Sequence, residues 1–336
     1  MKSVAIVIPC RNEENYIARC IDSILLQSYP KDKLSIYICD GISTDLTISI
    51  IKRYGAIYHN IQLIINEKKT TPYALNLGIN NSDTDIVIIL GAHSEIHADY
   101  VSKCVESFSF DNNIGCTGGL IENVYESETA AVIGMAMSSS FGVGNAHFRT
   151  GKKDGFVDTV AFGAYKREVF NKIGLFDEEL IRNQDDEFNF RLLKAGFKIY
   201  LWREIRSKYY VRASFKKLFQ QYYQYGYWKV YVAKKHKAIT TFRQVVPLFF
   251  VLFLITGLVS SVFCSLFFIF YLFGFLFYLF ASLYSAVKLT GKSNQLIKVM
   301  FSFFILHFSY GCGYLKGLFD FFVLNNSIKK EENLSR

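Results

Sequence analysis

Asp40 closes the apolar run Ile36-Tyr37-Ile38-Cys39, and a short Gly/Ser/Thr turn follows before a helical pattern begins at Thr44-Asp45. A carboxylate at the carboxyl end of a buried strand stands where open α/β sheets take their ligands. The arrangement occurs twice more in the first hundred residues. Residues 4–9, ending in Pro9, run into Cys10-Arg11-Asn12-Glu13, and residues 85–90 run into Gly91-Ala92-His93-Ser94-Glu95. Strand ends carrying such side chains to one sheet edge suit a nucleotide with a metal. Asp40 reads either as a turn aspartate or as a hydrogen-bond acceptor for a base or ribose. Thr44 and Asp45 read as local helix-start residues. His93 and Glu95, two positions apart, can both face a divalent ion.

A second constellation is Gln184-Asp185-Asp186-Glu187. Acids at a helix start are favourable against the helix dipole. Adjacent aspartates also supply a general base if the pocket dehydrates one of them. Arg191, one turn on, reads as an ion-pair partner. A third segment, 221–229, carries Gln221, Tyr225 and Trp228; its aromatic rings can stack on a sugar or lie in a lipid interface.

The elements that must position these residues follow from periodicity. Residues 13–27 repeat apolar groups at helical spacing, with Asn12 as N-cap. Strand 34–39 leads to a helix over 44–54 with Gly55 as its stop. Strand 61–65 is followed by a helix opened by Thr71-Pro72 and running through Leu77, then strand 86–90. This alternation predicts a doubly wound, mostly parallel sheet. Beyond it the pattern weakens: a strand over 115–121, a loop-and-helix region over 123–155, and a helix over 186–195 stopped by Gly196. All four prolines fall at element boundaries.

Composition divides the 336 residues. Residues 247–287 contain no charge, a length that suits two membrane spans of about 20 residues each. A third apolar run covers 299–319, broken by His307 and Lys316. The net charge of +9 is concentrated between Arg203 and Arg243, where Arg212, Lys216, Lys217, Lys234 and Lys235 are among the cations and Glu204 is the only acid. Basic residues with aromatics can hold a nucleic acid strand, but this segment runs into the apolar part, which favours an anionic lipid surface over nucleic acid. Lys288, Lys292 and Lys298 place the following loop on the cytosolic side. Seven cysteines without a CxxC pair read as small hydrophobes in a reducing compartment. No signal peptide is expected. The domain organisation is therefore a cytosolic α/β domain over 1–230, a basic and aromatic juxtamembrane segment over 203–245, a membrane domain over 247–324 with two or three helices, and a polar tail over 325–336.

The motifs together resemble the inverting nucleotide-sugar glycosyltransferases of family 2, with the GT-A fold. They are Ile8-Pro9 with Arg11-Asn12-Glu13-Glu14, the 39–45 turn around Asp40, Ala74-Leu75-Asn76-Leu77-Gly78-Ile79, the Gly91-Ala92-His93 triplet, Gly174-Leu175-Phe176-Asp177-Glu178, and the 183–187 cluster with Arg191-Leu192. The likeness covers about residues 1–230 and is nearest to membrane-anchored bacterial enzymes of exopolysaccharide assembly, the succinoglycan type. It implies a nucleotide-diphosphate sugar donor, usually UDP-linked, and Mg²⁺ or Mn²⁺. Pro9, Arg11, Asn12, Glu13, Asp40, Asn76 and Ala92 would bind the donor. The 91–93 triplet matches the D-x-D metal motif, with Gly91 in place of the first Asp and His93 left as the side-chain ligand. Asp185 matches the catalytic base, with Asp186 beside it and Gln184 where Glu is usual. Gln221, Tyr225 and Trp228 would meet an acceptor near the membrane. The processive Gln-x-x-Arg-Trp motif is absent, which disfavours a polymer-extruding synthase. Three functions fit: transfer of one sugar to a lipid-linked saccharide at the inner membrane, transfer to a polyprenyl phosphate itself, or a degenerate scaffold in a polysaccharide assembly complex.

Overall fold

The computed structural model describes residues 1–144, 146–151, 153–211, 213–238, 244–263 and 265–325. Arg212, Arg243 and the 326–336 part of the polar tail lie outside the described residues. Strands β1 (Val4–Cys10), β2 (Leu34–Asp40), β3 (Ile61–Ile65) and β4 (Ile86–Ile89) alternate with helices α1 (Ile17–Leu25), α2 (Thr47–Ile57) and α3 (Thr71–Asn80). Next come β5 (Ser94–Ile96), α4 (Tyr100–Ser107), β6 (Ile114–Val124), α5 (Glu128–Met137), α6 (Ser140–Val143) and α7 (His147–Thr150). Then follow β7 (Gly155–Val157), β8 (Ala161–Lys166), α8 (Arg167–Ile173), α9 (Gln184–Lys194) and β9 (Lys198–Tyr210). The chain ends in α10 (Phe215–His236), α11 (Val246–Ser261), α12 (Ser265–Leu289) and α13 (Ser293–Leu318), the last continuing as a π turn over Phe319–Val323.

Two compact units result: Met1–Asn123 with His147–Tyr210, and Val124–Ala146 with the chain from Val211 onward. In the first unit, side chains alternate across the parallel strands as the pleat requires. Val4, Ile6 and Ile8 of β1 join Ile36 and Ile38 of β2 and Ile86 and Ile88 of β4 on one face. Ile17, Cys20, Ile21 and Ile24 of α1, spaced one turn apart, cover that face. Ala5, Val7, Tyr37, Cys39 and Val87 form the other face, under Ala74, Leu75 and Ile79 of α3. Each fully buried Ile or Val contributes about 1.5–3 kcal/mol by leaving water. Strands buried on both faces read as unbroken apolar runs, and parallel strands need both faces covered.

The sheet order is β3-β2-β1-β4-β8-β6-β9-β5, with β7 also on β9. The first four are parallel to one another; β8 pairs antiparallel with β4 and with β6, and β9 pairs antiparallel with β5 and β7. The antiparallel half carries its signal in long-range pairing, which periodicity does not encode. Several local expectations shift too. The first helix starts at Ile17, not 13, because Asn12 has a left-handed backbone (φ 55°) and does not cap it. Gly55 lies inside α2 rather than stopping it. Pro72 sits in the first turn of α3 as expected.

The second unit is helical. A boundary at 230 would cut α10, a single helix; the first unit closes at Tyr210 because α10 lies tightly along α13. A Cβ on Gly226 would stand 2.0 Å from the Tyr310 carbonyl oxygen, and one on Gly313 would stand 1.9 Å from that of Tyr223. The same unit holds the 124–146 insertion: His307 Nε2 lies 2.8 Å from the Phe141 carbonyl oxygen and its Nδ1 lies 3.0 Å from the Tyr278 hydroxyl. Among the described residues two helices are long and apolar enough to cross a membrane, Ser265–Leu289 and Ser293–Val323, whereas the apolar helix α11 is shorter, at 16 residues. The helix-to-helix approach gives a direct test. Gly313→Val should overpack the α10–α13 seam at a cost of about 1–3 kcal/mol, read as a lowered unfolding midpoint of the detergent-purified protein; an unchanged midpoint would show the seam to be loose.

Candidate functional site

The parallel register sets Cys10 beside Asp40, so the ends of β1 and β2 stand side by side. Asp40 is fully buried. Its Oδ1 accepts the Ser43 N–H at 2.8 Å, and its Oδ2 accepts the Ser43 hydroxyl at 2.5 Å and the Cys10 thiol at 3.5 Å. Burial, with Asp40 adding to it, pushes the Cys10 thiol up, which keeps it a protonated donor. Ser43 Oγ in turn accepts the Asn12 N–H at 2.8 Å, and Asn12 Oδ1 accepts the Thr44 N–H at 2.9 Å. The Glu13 N–H donates to Thr47 Oγ1 at 2.8 Å, and the Glu14 N–H donates to Asp45 Oδ2 at 3.2 Å. Burial pushes the Asp45 carboxyl up, but the hydroxyl and N–H of Thr47 and the N–H of Glu14 outweigh it and hold it below its ordinary value. Loops 11–14 and 43–47 thus form one ledge. Asp40 shapes it from beneath, as a turn aspartate, and Thr44 and Asp45 act locally as expected. Pro9 pairs with Cys39 at the same strand end, and the Arg11 side chain lies over Gly41, whose Cβ position is 3.4 Å from Arg11 Cδ.

His93 follows β4 at the same edge, beside buried Ala92. Its Nδ1 stands 3.6 Å from Glu13 Oε1 and is buried without a hydrogen-bond partner. Its ring meets Tyr209 edge-on, centroids 5.1 Å apart. Tyr209 reaches that place because β9 pairs with β5 in a register that sets it opposite Ser94. The Arg149 guanidinium also lies against Tyr209, 5.6 Å from the ring centroid, and its Nη1 is buried without a hydrogen-bond partner. Glu95 does not join His93. The same register sets Glu95 opposite Lys208, and its carboxylate accepts the Tyr210 hydroxyl and lies 3.6 Å from Lys208 Nζ. Gly91 offers no side chain, and among the described residues no group of three His, Cys, Asp or Glu could hold an ion by itself. A cation here would meet the Nδ1 of His93, a softer donor than the oxygens that Mg²⁺ and Mn²⁺ prefer, so most of its ligands would be oxygens of the bound substrate and water.

Asn183, with φ 61°, turns the chain into α9. In the first turn Asp185 is exposed, Asp186 half-buried and Glu187 buried. Glu187 takes Arg191 in a two-pronged pair at 2.7 and 2.8 Å, while Arg191 donates to the Ile173 and Leu175 carbonyls at 2.5 and 2.8 Å. Asn76, expected at the donor, instead holds this loop from α3. Its Nδ2 donates to the Phe176 carbonyl at 2.9 Å and to Glu178 Oε1 at 3.0 Å, and its Oδ1 accepts the Phe176 N–H at 3.0 Å. Both ends of its amide are engaged, so the side chain is a clamp. Phe188 of α9 stacks on Phe176 at 4.3 Å. Burial raises the Tyr165 hydroxyl of β8, with Cys116 and then Asp185 adding to it. Gln184 Oε1 is buried without a hydrogen-bond partner.

In the second unit, Gln221 Nε2 donates to the Tyr225 hydroxyl at 2.8 Å, one turn along α10. Trp228 is buried among Tyr227, Tyr231 and Phe321. It is core of that unit, which removes it from the acceptor-facing residues; α10 turns that stripe toward the π turn after α13. The residues that sequence reasoning missed are Arg149 and Tyr209. Arg149 sits in a stretch of weak periodicity, and Tyr209 gains its place only through the β5–β9 register.

A family model described as "Glycosyl transferase family 2" matches residues 5–174. The chain is 36% identical over 233 residues to a dolichyl N-acetyl-alpha-D-glucosaminyl phosphate 3-beta-D-2,3-diacetamido-2,3-dideoxy-beta-D-glucuronosyltransferase of Methanococcus voltae, covering 67% of this chain and 72% of the relative. It is 29% identical over 251 residues to the succinoglycan biosynthesis protein ExoA of Rhizobium meliloti, covering 73% and 74%. Among solved structures, the mannosyltransferase PcManGT from Pyrobaculum calidifontis, in complex with GDP-Man and Mn²⁺, shares the fold with a TM-score of 0.65 at 15% identity, over 95% of this chain and 88% of that one.

The loop clamp is open to measurement. Arg191→Leu leaves Glu187 charged and buried, a loss of about 3–5 kcal/mol in denaturant unfolding of the purified protein; a loss near zero would mean that Asn76 and Phe188 hold the loop unaided.

Proposed function

The chain belongs to glycosyl transferase family 2, and from that premise we propose that it moves one sugar from a nucleotide-diphosphate donor, UDP-linked by family resemblance, to a lipid-linked saccharide, with inversion. The observation that carries this is the pair of buried nitrogens without a hydrogen-bond partner, Arg149 Nη1 and His93 Nδ1, on two side chains that both lie against the Tyr209 ring. A guanidinium nitrogen and an imidazole nitrogen that both lack a hydrogen bond near the strand ends suit an anion of high charge, and a diphosphate is one. The base and ribose rest on the ledge of Pro9, Arg11, Asn12 and Glu13, with Ala92 beneath and Asp40 holding its shape.

Mg²⁺ or Mn²⁺, held in part by His93, would neutralise charge on the leaving diphosphate. Arg149 donates to the same oxygens as they gain charge. Asp185, exposed at the start of α9, accepts the proton of the acceptor hydroxyl as that oxygen attacks the anomeric carbon and the bond to the diphosphate breaks. Attack opposite the leaving group inverts the centre. Asp186 is the neighbouring carboxylate, and Glu187 is engaged by Arg191 and does no proton transfer.

The acceptor reading draws on the Methanococcus voltae relative, whose name gives a dolichyl-linked N-acetylglucosaminyl phosphate, and on the succinoglycan biosynthesis protein. It draws as well on α12, whose side chains are apolar and outward, Phe273 being 72% exposed. Such a face suits lipid. The catalytic unit then works at the cytosolic side of the cell membrane, in exopolysaccharide or related surface-glycan assembly.

Asp185→Asn should lower kcat about 10²- to 10⁴-fold while nucleotide affinity is unchanged, measured with a nucleotide-sugar panel and lipid-linked N-acetylglucosamine, and by calorimetry. An active variant would transfer the base role to Asp186. Activity retained only toward a polyprenyl phosphate, an acceptor that is already an anion, would favour that acceptor instead.

A further inference from the structure

Length and composition would let α13 cross a bilayer, but the partners at both of its ends argue against it. Near its start, Lys298 Nζ lies 3.1 Å from Glu128 Oε2, and Asn294 Nδ2 donates to Glu128 Oε1 at 3.5 Å. Glu128 opens α5 on the link from Asn123, where a segment of the catalytic unit ends. Five residues of extended chain reach at most about 18 Å, less than the hydrocarbon thickness of about 30 Å. Glu128 therefore stays on the side of the membrane that holds the catalytic unit, and the start of α13 stays with it. Near the other end, the Lys234 ammonium donates to the Phe321 carbonyl and to Asn325 Oδ1, and the Tyr227 hydroxyl donates to Asp320 Oδ2 at 3.0 Å. Lys234 and Tyr227 belong to α10, which begins a short link after Tyr210, the other exit of the catalytic unit. With Gln220, Gln221, Gln224 and Lys229 in its middle, α10 is not apolar enough to cross. The two ends of α13 are thus held on one side, although about 35 Å of helix, at about 1.5 Å per residue, separate Lys298 from Phe321.

The faces of α13 are those of a helix lying flat. Val299, Phe303, Leu306, Tyr314 and Phe321 are buried along one side. Ile297, Phe301, Phe308, Leu315, Phe319 and Phe322 recur at helical spacing on the opposite side, and of these Ile297 is 78% and Phe322 58% exposed. α12 instead exposes apolar side chains around most of its circumference.

We propose that the helical unit is seated in one leaflet: α13 lies along the membrane surface with its apolar stripe in the lipid, and α11 and α12 form an inserted hairpin that enters and leaves on the cytosolic side. The seating rests on the reading of α12 as lipid-facing given above. The partner is the cytosolic leaflet, whose anionic headgroups match the exposed Lys216, Lys217, Lys235 and Lys237 of α10. Lys288, Lys292 and Lys298 around the α12–α13 turn agree with a cytosolic turn. A lipid-linked acceptor then reaches the protein from the leaflet on which the catalytic unit works.

The test uses the full chain in a bacterial host. Gly291→Cys, where a Cβ meets nothing within 4 Å, is treated with a membrane-impermeant maleimide in spheroplasts and in inside-out vesicles, with the wild type as background. An epitope tag after Arg336 is probed by antibody in the same two preparations. Both sites should react in inside-out vesicles and stay at background in spheroplasts. Reaction of residue 291 from outside would mean that α12 and α13 cross as a pair, and reaction of the tag from outside would mean that α13 crosses; either overturns the seating and leaves the lipid reading of α12 standing. Depth gives a second readout. Nitroxide labels on Phe301→Cys, Phe308→Cys and Phe319→Cys, in vesicles of phosphatidylethanolamine and phosphatidylglycerol, should sit at one shallow depth by electron paramagnetic resonance with oxygen and a nickel chelate as relaxants. A label at 308 that is much deeper than those at 301 and 319 would overturn the seating by showing a crossing helix. Release of the wild type from membranes by alkaline carbonate would overturn both the seating and the lipid reading of α12.

Discussion

The pairing of Cys10 with Asp40 at the ends of two buried parallel strands is the constraint on which the catalytic unit depends. A carboxylate with no exposed surface must have its oxygens satisfied from within. Ser43 does this twice, through N–H and hydroxyl, and Cys10 adds a thiol. Ser43 then has its oxygen directed at the Asn12 N–H, and from there each contact fixes the next: Asn12 to Thr44, Glu13 to Thr47, Glu14 to Asp45 and Leu46. The desolvation of one carboxylate thereby sets the shape of two loops distant in sequence. Asn12 and Ile42 both have left-handed backbones; asparagine tolerates that region, whereas a β-branched isoleucine is strained in it.

A second device holds the acidic helix. The 173–178 loop has no regular structure of its own, so its backbone polar groups need partners from elsewhere. Arg191 takes two of its carbonyls and Asn76 takes both faces of Phe176. Glu187 keeps Arg191 in place. Of the three acids at the start of α9, Glu187 is thus committed to structure, while Asp185 is exposed and Asp186 half-buried. A polar side chain already satisfied on every side is a poor ligand-binding residue, which is why Asn76 belongs with the scaffold.

The helical unit is packed by a different rule. Its seams are made by small residues: glycines of α10 and α13 bring backbones into contact, and Gly257 and Gly274 admit Tyr271 and Phe253 between α11 and α12. Close approach of backbones at small residues is the packing that membrane helices use. Several of its buried polar groups are paired: Asp320 with Tyr227 and Lys316, His307 with Tyr278 and the Phe141 carbonyl. The insertion 124–146 belongs to this unit through those contacts, although it leaves and re-enters the chain in the middle of the sheet domain.

The sequence by itself determined the parallel half of the sheet, the strand ends that bear polar residues, the acidic helix and the apolar helices. Those features rest on local periodicity and on short motifs, which need no knowledge of distant partners. Tertiary structure decided what each polar residue faces. Glu95 seemed matched to His93 by spacing, but strand register gives it to Lys208 and Tyr210 and gives Glu13 to His93. Trp228 had the composition of a stacking platform, but helix packing buries it. Arg149 carried no motif, and Tyr209 acquired its position from an antiparallel pairing across more than a hundred residues. The physical reason is common to all of these. Spacing fixes which elements form, whereas the partner of a side chain depends on register and on packing between elements far apart in the chain.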